Sequence, residues 1–513
     1  MSFSTVLSAA VSGLKVEFVN VEVDVSSGLP VFHMVGYLSS EVKEAQDRVR
    51  TAIRNSGLEF PARRIVVNLS PASLRKKGAL YDLPIAIAIL QALGQISPGR
   101  TEPLLIIGEL GLDGKVRKVP GVLPIVLEAR KQGIRVCMVP RENASEGALA
   151  EGMTVLGVES LSEACAYWNG EKEWRGETCP EAKREEKEDL YHGMDYSDVC
   201  GQKAVKRAVE TAVAGGHNLL LIGPPGSGKT MTAKRIPTIF PPMTPEESME
   251  ITKIYSILGM VDPENPLVRQ RPFRSVHHTA TKAALVGGGA APAPGEISLA
   301  HEGVLFLDEL PEFKKNVLEV LRQPLEEHQI RLSRSQGTYQ FPADFMLVGA
   351  MNPCPCGCYP DLNRCTCTPG EIQHYLGKLS QPFLDRMDIC VEAPKVEYES
   401  LKHRGKEETS AAIRKRVCRA REIQSQRYRG TGIRTNAALD AKGVERYCML
   451  GTQEEKLMRH AFAKLGLTAR TYHKILKVAR TIADLEGSGC IRTEHLQEAI
   501  GYRSLDKKYW GRN

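Results

Sequence analysis

Eight consecutive residues, Gly223, Pro224, Pro225, Gly226, Ser227, Gly228, Lys229 and Thr230, fit the pattern G-x-x-x-x-G-K-[ST] and are reached through Asn218-Leu-Leu-Leu-Ile222. These residue types at this spacing hold phosphates. Glycines let backbone N–H groups curl around the anion, the lysine reaches the β/γ oxygens, and the hydroxyl takes Mg²⁺. ATP is the ligand implied, with GTP as the alternative nucleotide. The apolar run before the loop reads as a strand, and Lys229 to Ile236 reads as a helix whose N-terminus favours the anion.

Further along, Gly303-Val-Leu-Phe-Leu-Asp308-Glu309 reads as a buried parallel strand ending in two carboxylates. In P-loop ATPases one such carboxylate holds Mg²⁺ and the other orients the attacking water, which assigns those roles to Asp308 and Glu309. A second apolar strand, Phe345 to Met351, ends in Asn352, a polar tip suited to hold the water or the γ-phosphate. Loop, carboxylate pair and polar strand end occur in that order.

Directly after Asn352 come Cys354, Cys356, Cys358, Cys365 and Cys367. Two C-x-C pairs separated by eight residues suit a tetrahedral Zn²⁺ site made by Cys354, Cys356, Cys365 and Cys367, with Cys358 as a spare or substitute. An iron–sulfur cluster is also compatible with thiolates, and free thiols in a proline-rich loop are the remaining alternative. The chain has 13 cysteines, and the other eight are scattered. That distribution suits a metal site in a reducing compartment better than a disulfide framework.

The elements that position these residues are legible in outline. At 513 residues and 42% hydrophobic, the chain has room for three domains. No signal peptide opens it, and its longest apolar stretch, around Leu83 to Leu93, is too short to span a bilayer, so a cytoplasmic location is expected. The net charge of +7 is compatible with nucleic acid without implying it. A charged segment without apolar periodicity, residues 171–190, reads as an interdomain linker. Before it strands and helices alternate: Val19, Val21, Val23 and Val25 share one strand face, Val42 to Ile53 has helical spacing, and strands are expected near 65–69, 105–107 and 136–139. Residues 330–341 read as a hairpin around a Gln-Gly turn. After residue 396 the pattern is helical throughout: 413–427, 440–450, 453–465, 471–485 and 493–500, with Thr493 as N-cap. Arg414, Lys415, Arg416, Arg419 and Arg421 on the first of these helices either meet DNA or solvate one face.

Long strings of the sequence resemble one family. Gly-Gly-His217-Asn, Gly295-Glu-Ile-Ser-Leu-Ala-His301, Leu-Asp-Glu-Leu-Pro-Glu-Phe313, Asn352-Pro-Cys-Pro-Cys-Gly357 and Ala469-Arg470-Thr-Tyr-His473 are similar to the YifB/ComM family of magnesium-chelatase-like AAA+ ATPases. The resemblance implies an α/β fold with three parts: a Lon-protease-like (S5-type) N-terminal domain over 1–170, a P-loop AAA+ core over 191–395 with its cysteine-rich loop at 354–367, and a C-terminal α-helical lid over 396–513. In the N-terminal domain Leu80 and Leu123 stand where Lon carries its serine and lysine, so a proteolytically inactive domain is expected.

The resemblance also implies roles. Arg386, in Leu384-Asp-Arg-Met-Asp388, looks like an arginine finger that reaches a neighbouring subunit's ATP, and Arg470 looks like the sensor-2 arginine that reads the γ-phosphate from the lid. Such a finger requires a ring, a hexamer in this family. The hairpin and an insert over 279–296 would face the ring's pore, with Lys282, Arg331 and Arg334 as phosphate contacts. The implied function is an ATP- and Mg²⁺-dependent DNA motor resembling ComM branch-migration helicases of recombination and natural transformation, acting on branched or single-stranded DNA. The alternative is a chelatase-type protein-remodelling ATPase without DNA activity.

Overall fold

The computed structural model describes residues 3–97, 103–173, 176, 191, 193–289, 292–334, 337–395 and 407–511. The expected linker lies almost wholly outside the described residues, as do residues 335–336 of the expected hairpin turn and the connection 396–406.

Two sheets organise the chain. The first has seven strands, β1 (Phe3–Ser12), β2 (Lys15–Ser26), β3 (Val31–Val35), β4 (Arg64–Ser70), β5 (Leu104–Ile106), β6 (Val136–Pro140) and β7 (Thr154–Val158), in the order β3-β4-β2-β1-β5-β6-β7. The valines at 19, 21, 23 and 25 of β2 all turn inward, as strand alternation requires. Strand β1 has no such signal in the sequence because serines share its inner face: Ser4 is buried, and its Oγ donates to Ala88 O at 2.6 Å. Helix Asp82–Ala92 covers β1 and β2 and is apolar nearly all round, so it sits inside. Leu80 and Leu123 are buried at 7% and 0% exposure, each adding about 1.5–3 kcal/mol of apolar burial.

The second sheet has five strands, β8 (Leu219–Ile222), β9 (Phe273–Val276), β10 (Val304–Leu307), β11 (Met346–Met351) and β12 (Ile389–Glu392), in the order β9-β10-β11-β8-β12. Every pair is parallel. All strand C-termini therefore share one edge, where open α/β sheets bind ligands. The N-termini share the far edge. Four residues at about 3.3 Å each separate the two edges by about 13 Å.

The hairpin forms from Gln329–Arg334 and Gly337–Pro342, and the insert from a short helix, Lys282–Val286, and a two-residue ladder, Gly287–Gly288 with Ala293–Pro294. The N-terminal unit docks on the second unit through helix Val122–Lys131 against helix Pro245–Ile257. There Gly121 N donates to Ser256 O at 2.8 Å, and Ser256 Oγ donates to the buried Glu146 at 2.5 Å.

Helices Ser410–Arg427, Ala441–Tyr447, Thr452–Leu465, Ala469–Leu485 and Thr493–Trp510 form a bundle that packs on helix Lys203–Gly215 and strand β12. The last helix runs ten residues beyond the end expected at Ile500, because Tyr509 and Trp510 find partners: Tyr509 is buried, and Trp510 Nε1 donates to Leu376 O at 3.1 Å. Thr493 is not the N-cap but the first helical residue. Arg492 N donates instead to His495 Nδ1 at 3.0 Å, and Thr493 Oγ1 to Glu454. Of the five basic residues on the first helix, Arg416 pairs with Glu210 and Glu408, and Arg421 donates to Val213 O. Among the described residues no helix is long and apolar enough to cross a membrane.

Candidate nucleotide site

The loop 223–230 joins β8 to helix Lys229–Arg235. Gly226 and Gly228 adopt φ of +73° and +85°, a left-handed backbone that favours glycine. Lys229 is only 9% exposed, and its ammonium donates to Gly223 O at 2.8 Å, Pro224 O at 2.9 Å and Asn352 Oδ1 at 3.2 Å. Burial lowers its pKa, against the pull of Asp308 and Glu309. Asn352 arrives there because β11 pairs with β8 in parallel, Met351 opposite Ile222. From β10, Asp308 accepts a 2.7 Å hydrogen bond from Thr230 Oγ1. Glu309 has a left-handed φ of 51°, and its side chain is 61% exposed with one oxygen 3.4 Å from His278 Nδ1.

A nucleotide with Mg²⁺ fits this donor set. Ser227 Oγ is buried with no hydrogen-bond partner, the lysine ammonium lies within the loop's curl, and the Thr230–Asp308 pair offers a hydroxyl and a carboxylate to a hard cation. Two neighbours escaped the reading of the sequence. Gln202 Nε2 donates to Ser227 O at 3.2 Å and to Pro394 O at 2.5 Å, and His278 faces Glu309. A polar residue just before the helix that packs on the loop's strand, and a His-His pair just after β9, were the available signals.

The two arginines are elsewhere. Arg386 stands three residues before β12, whose first residue is in register with the first of β8, so it belongs to the far edge. Its side chain is 9% exposed; Nη2 pairs with Glu326, Nη1 donates to Pro382 O, and Nε has no partner. Arg470 joins it there, 58% exposed and 4.0 Å from Asp385. One turn on, Lys474 reaches Asp388 at 2.8 Å. The structure thus brings Arg470 together with Arg386, and neither with Lys229. A cleft of about 1200 Å³ opens on this edge, lined in part by Arg386, Arg470, His473 and Lys474. His217 is buried beside it, 2.8 Å from Thr481 Oγ1 and 3.9 Å from Asp388, and burial pushes its pKa down to about 4. Burial alone would raise Asp388, but the Lys474 ammonium and the Asn218 amide hold it below the usual carboxylate range.

Lys282, Arg331 and Arg334 are all exposed on the insert and the hairpin. Arg331 lies 3.7 Å from Glu327, and the Arg334 guanidinium stands 3.4 Å from where a Cβ on Gly288 would be, so hairpin and insert lie side by side.

Thiols of Cys354, Cys356, Cys365 and Cys367 lie within 4.8 Å of one another. Cys354 Sγ is 3.3 Å from Cys356 Sγ and 3.8 Å from Cys365 Sγ, and the last two are 3.5 Å apart. Zn–S bonds of about 2.3 Å in a tetrahedron put sulfurs about 3.8 Å apart, so four thiolates here fit zinc. Cys358 stays outside the group, its sulfur 3.8 Å from Cys356 O.

Known proteins match this chain along nearly its whole length. Families described as magnesium chelatase, subunit ChlI; subunit ChlI of Mg-chelatase; and magnesium chelatase, subunit ChlI C-terminal match residues 195–401, 21–143 and 407–503. The chain is 44% identical over 511 residues to the uncharacterized protein YifB of Salmonella typhimurium, covering 99% of this chain and 98% of that one. It is 44% identical over 515 residues to the competence protein ComM of Haemophilus influenzae, covering 98% of both. A stretch of 120 residues, 23% of this chain and 24% of that one, is 31% identical to the DNA repair protein RadA of Escherichia coli. Nucleotide loop, carboxylate strand and C-terminal helices fall within matched segments, and the chain belongs to the YifB/ComM family of magnesium-chelatase-like proteins.

Proposed function

We propose that this chain is a ring-forming, Mg²⁺-dependent ATPase that moves along or remodels DNA, resembling the ComM branch-migration helicases of recombination and natural transformation. One observation carries the reading: Lys229, Thr230, Asp308 and Asn352 meet at one edge of the sheet, while Arg386 and Arg470 meet at the other. A single chain cannot close a site split that way. A head-to-tail ring can, because its heterologous contact sets the far edge of one subunit against the loop edge of the next. Six subunits are expected from the family.

Bound ATP with Mg²⁺ supplies the phosphoryl group whose transfer to water drives the cycle. Lys229 exchanges the carbonyls of Gly223 and Pro224 for phosphate oxygens, and Thr230 and Asp308 hold the metal ion. Glu309 orients the attacking water and Asn352 steadies it. Arg386 and Arg470, from the neighbour, stabilise charge that grows on the transferring group, an effect worth ~10³ to 10⁵ in rate for such a finger. Lys282, Arg331 and Arg334 contact DNA phosphates, and the chain works in the cytoplasm, without a membrane. Residues 1–170 form the inactive Lon-like domain, 171–190 the linker, 191–395 the AAA+ core and 396–513 the helical lid. Zn²⁺ occupies the four thiolates.

The match to the magnesium chelatase subunit ChlI family favours a second reading, a chelatase-type protein-remodelling motor built on the same ATPase core. Turnover by wild type and Glu309→Gln, measured without DNA and with single strands, duplex and a four-way junction, separates the two. Stimulation by the junction together with strand-exchange products supports the DNA motor. DNA-independent turnover with no junction processing contradicts it.

A further inference from the structure

The cysteine loop is built into the nucleotide site. Asn352, which accepts from Lys229, stands two residues before Cys354. Gly357, between the two C-x-C pairs, rests on the nucleotide loop: a Cβ there would stand 2.4 Å from Pro225 Cδ. On the loop's other flank the Tyr359 ring meets Tyr509 of the last helix edge-on, centroids 6.1 Å apart.

The loop itself has little to hold this position. Between residues 354 and 368 only Cys354 and Gly357 are buried, and the residues from 359 to 364 are polar or exposed. Short-range backbone bonds turn it, Gly357 N to Cys354 O, Asp361 N to Cys358 O and Cys365 N to Asp361 O, and sulfur ties its two ends together. Besides the close thiols, Cys356 N donates to Cys367 Sγ and Tyr359 N to Cys354 Sγ, both at 3.4 Å, as backbone donors do around metal thiolates.

Resting on the zinc reading above, we propose that the ion is a clamp for nucleotide binding. It ties the 354–358 turn to residues 365–367 at the loop's end, and so presses Gly357 against Pro225 and fixes Asn352 beside Lys229. Without the ion the loop's short-range contacts do not order it, and both supports of the phosphate cradle shift. A displacement of about 1 Å at reacting groups can cost up to about a hundredfold in rate, so turnover falls along with affinity. Cys354, Cys356, Cys365 and Cys367 are thus positioning residues that act through Pro225 and Asn352.

The test uses the purified full chain and three variants. Zinc is measured by mass spectrometry, the Kd of a fluorescent ATP analogue by titration, and KM and kcat by turnover. Wild type is expected to carry about one zinc per chain. Cys365→Ser loses it, and both Kd and KM rise about tenfold or more; mere loss of folded protein would lower kcat and leave Kd unmoved. Gly357→Ala, strained by a left-handed φ of +78° and with its Cβ against Pro225, keeps its zinc yet weakens ATP binding. Cys358→Ser keeps both zinc and affinity. If Cys365→Ser does not fold, zinc is withdrawn from wild type with a chelator that leaves Mg²⁺ in place, and affinity returns when zinc is restored. Wild type isolated without zinc overturns the zinc reading. Zinc at one per chain, with Kd unchanged by its removal or by Gly357→Ala, overturns the clamp alone.

Discussion

The two edges of the five-stranded sheet treat charge in opposite ways. At the loop edge Lys229 leans on backbone carbonyls, Ser227 Oγ has no partner, and Glu309 is mostly exposed. Lys229 bonds only neutral acceptors and Ser227 Oγ has no protein partner, a donor set that suits an anion. At the far edge Arg386 is buried against Glu326, and Asp388 is locked to Lys474 and the Asn218 amide. Most charges at that edge are paired within one chain, while Arg386 Nε has no partner and Arg470 is 58% exposed. The contrast teaches that the loop edge is arranged to receive a ligand, while the far edge holds its charges in pairs, as the proposed arginine-bearing face of a neighbouring subunit would.

The contrast breaks most visibly at Arg386. Arg386→Ala is expected to lower ATP turnover by ~10³ or more while ATP binding is retained, as turnover and nucleotide titration together will show. Loss of binding in this variant would place Arg386 at its own chain's loop and end the comparison. Next in size, Glu309→Gln is expected to cost ~10² to 10⁴ in kcat, as for removal of a group that positions and deprotonates water, again with ATP still bound.

Acid sharpens the far edge. His217 is buried and neutral, its pKa lowered from 6.5 to about 4. Between those two values the unfolded chain binds the proton and the folded chain does not, so stability falls as pH drops from about 6.5 and the loss levels off near pH 4. The full loss is on the order of 3 kcal/mol. Thermal unfolding followed from pH 7 to 4 checks this, and His217→Gln is expected to flatten the slope. The smallest effect lies outside both edges. Arg334→Ala is expected to reduce the slope of log affinity against log salt by about 0.7 for single-stranded DNA, with no change in ATP binding.

Much of the loop edge was legible because its signals are local. The pattern from Gly223 to Thr230 and the carboxylates ending β10 each depend on residues adjacent in the chain. At the far edge the family resemblance supplied roles for Arg386 and Arg470, but residue spacing did not place them. Periodicity placed Arg470 on a helix, but only packing of that helix on Lys203–Gly215 and β12 decides which edge it serves, and such contacts leave no spacing in the sequence. The same holds for Gly357 on Pro225, and for Gln202 and His278, whose roles come from neighbours dozens to more than a hundred residues away. Thr493 shows the opposite limit: a good capping residue by type was displaced one position because His495 takes the amide of Arg492.

The most direct test mixes two dead proteins. Lys229→Ala lacks the loop edge and Arg386→Ala lacks the far edge, so neither alone should turn over ATP. In a ring assembled from equal parts of both, random order leaves roughly one interface in four with an intact loop facing an intact arginine. The account expects turnover to reappear in the mixture at up to about that fraction of wild type. A mixture as inactive as its parents, in rings shown to contain both chains, would contradict it.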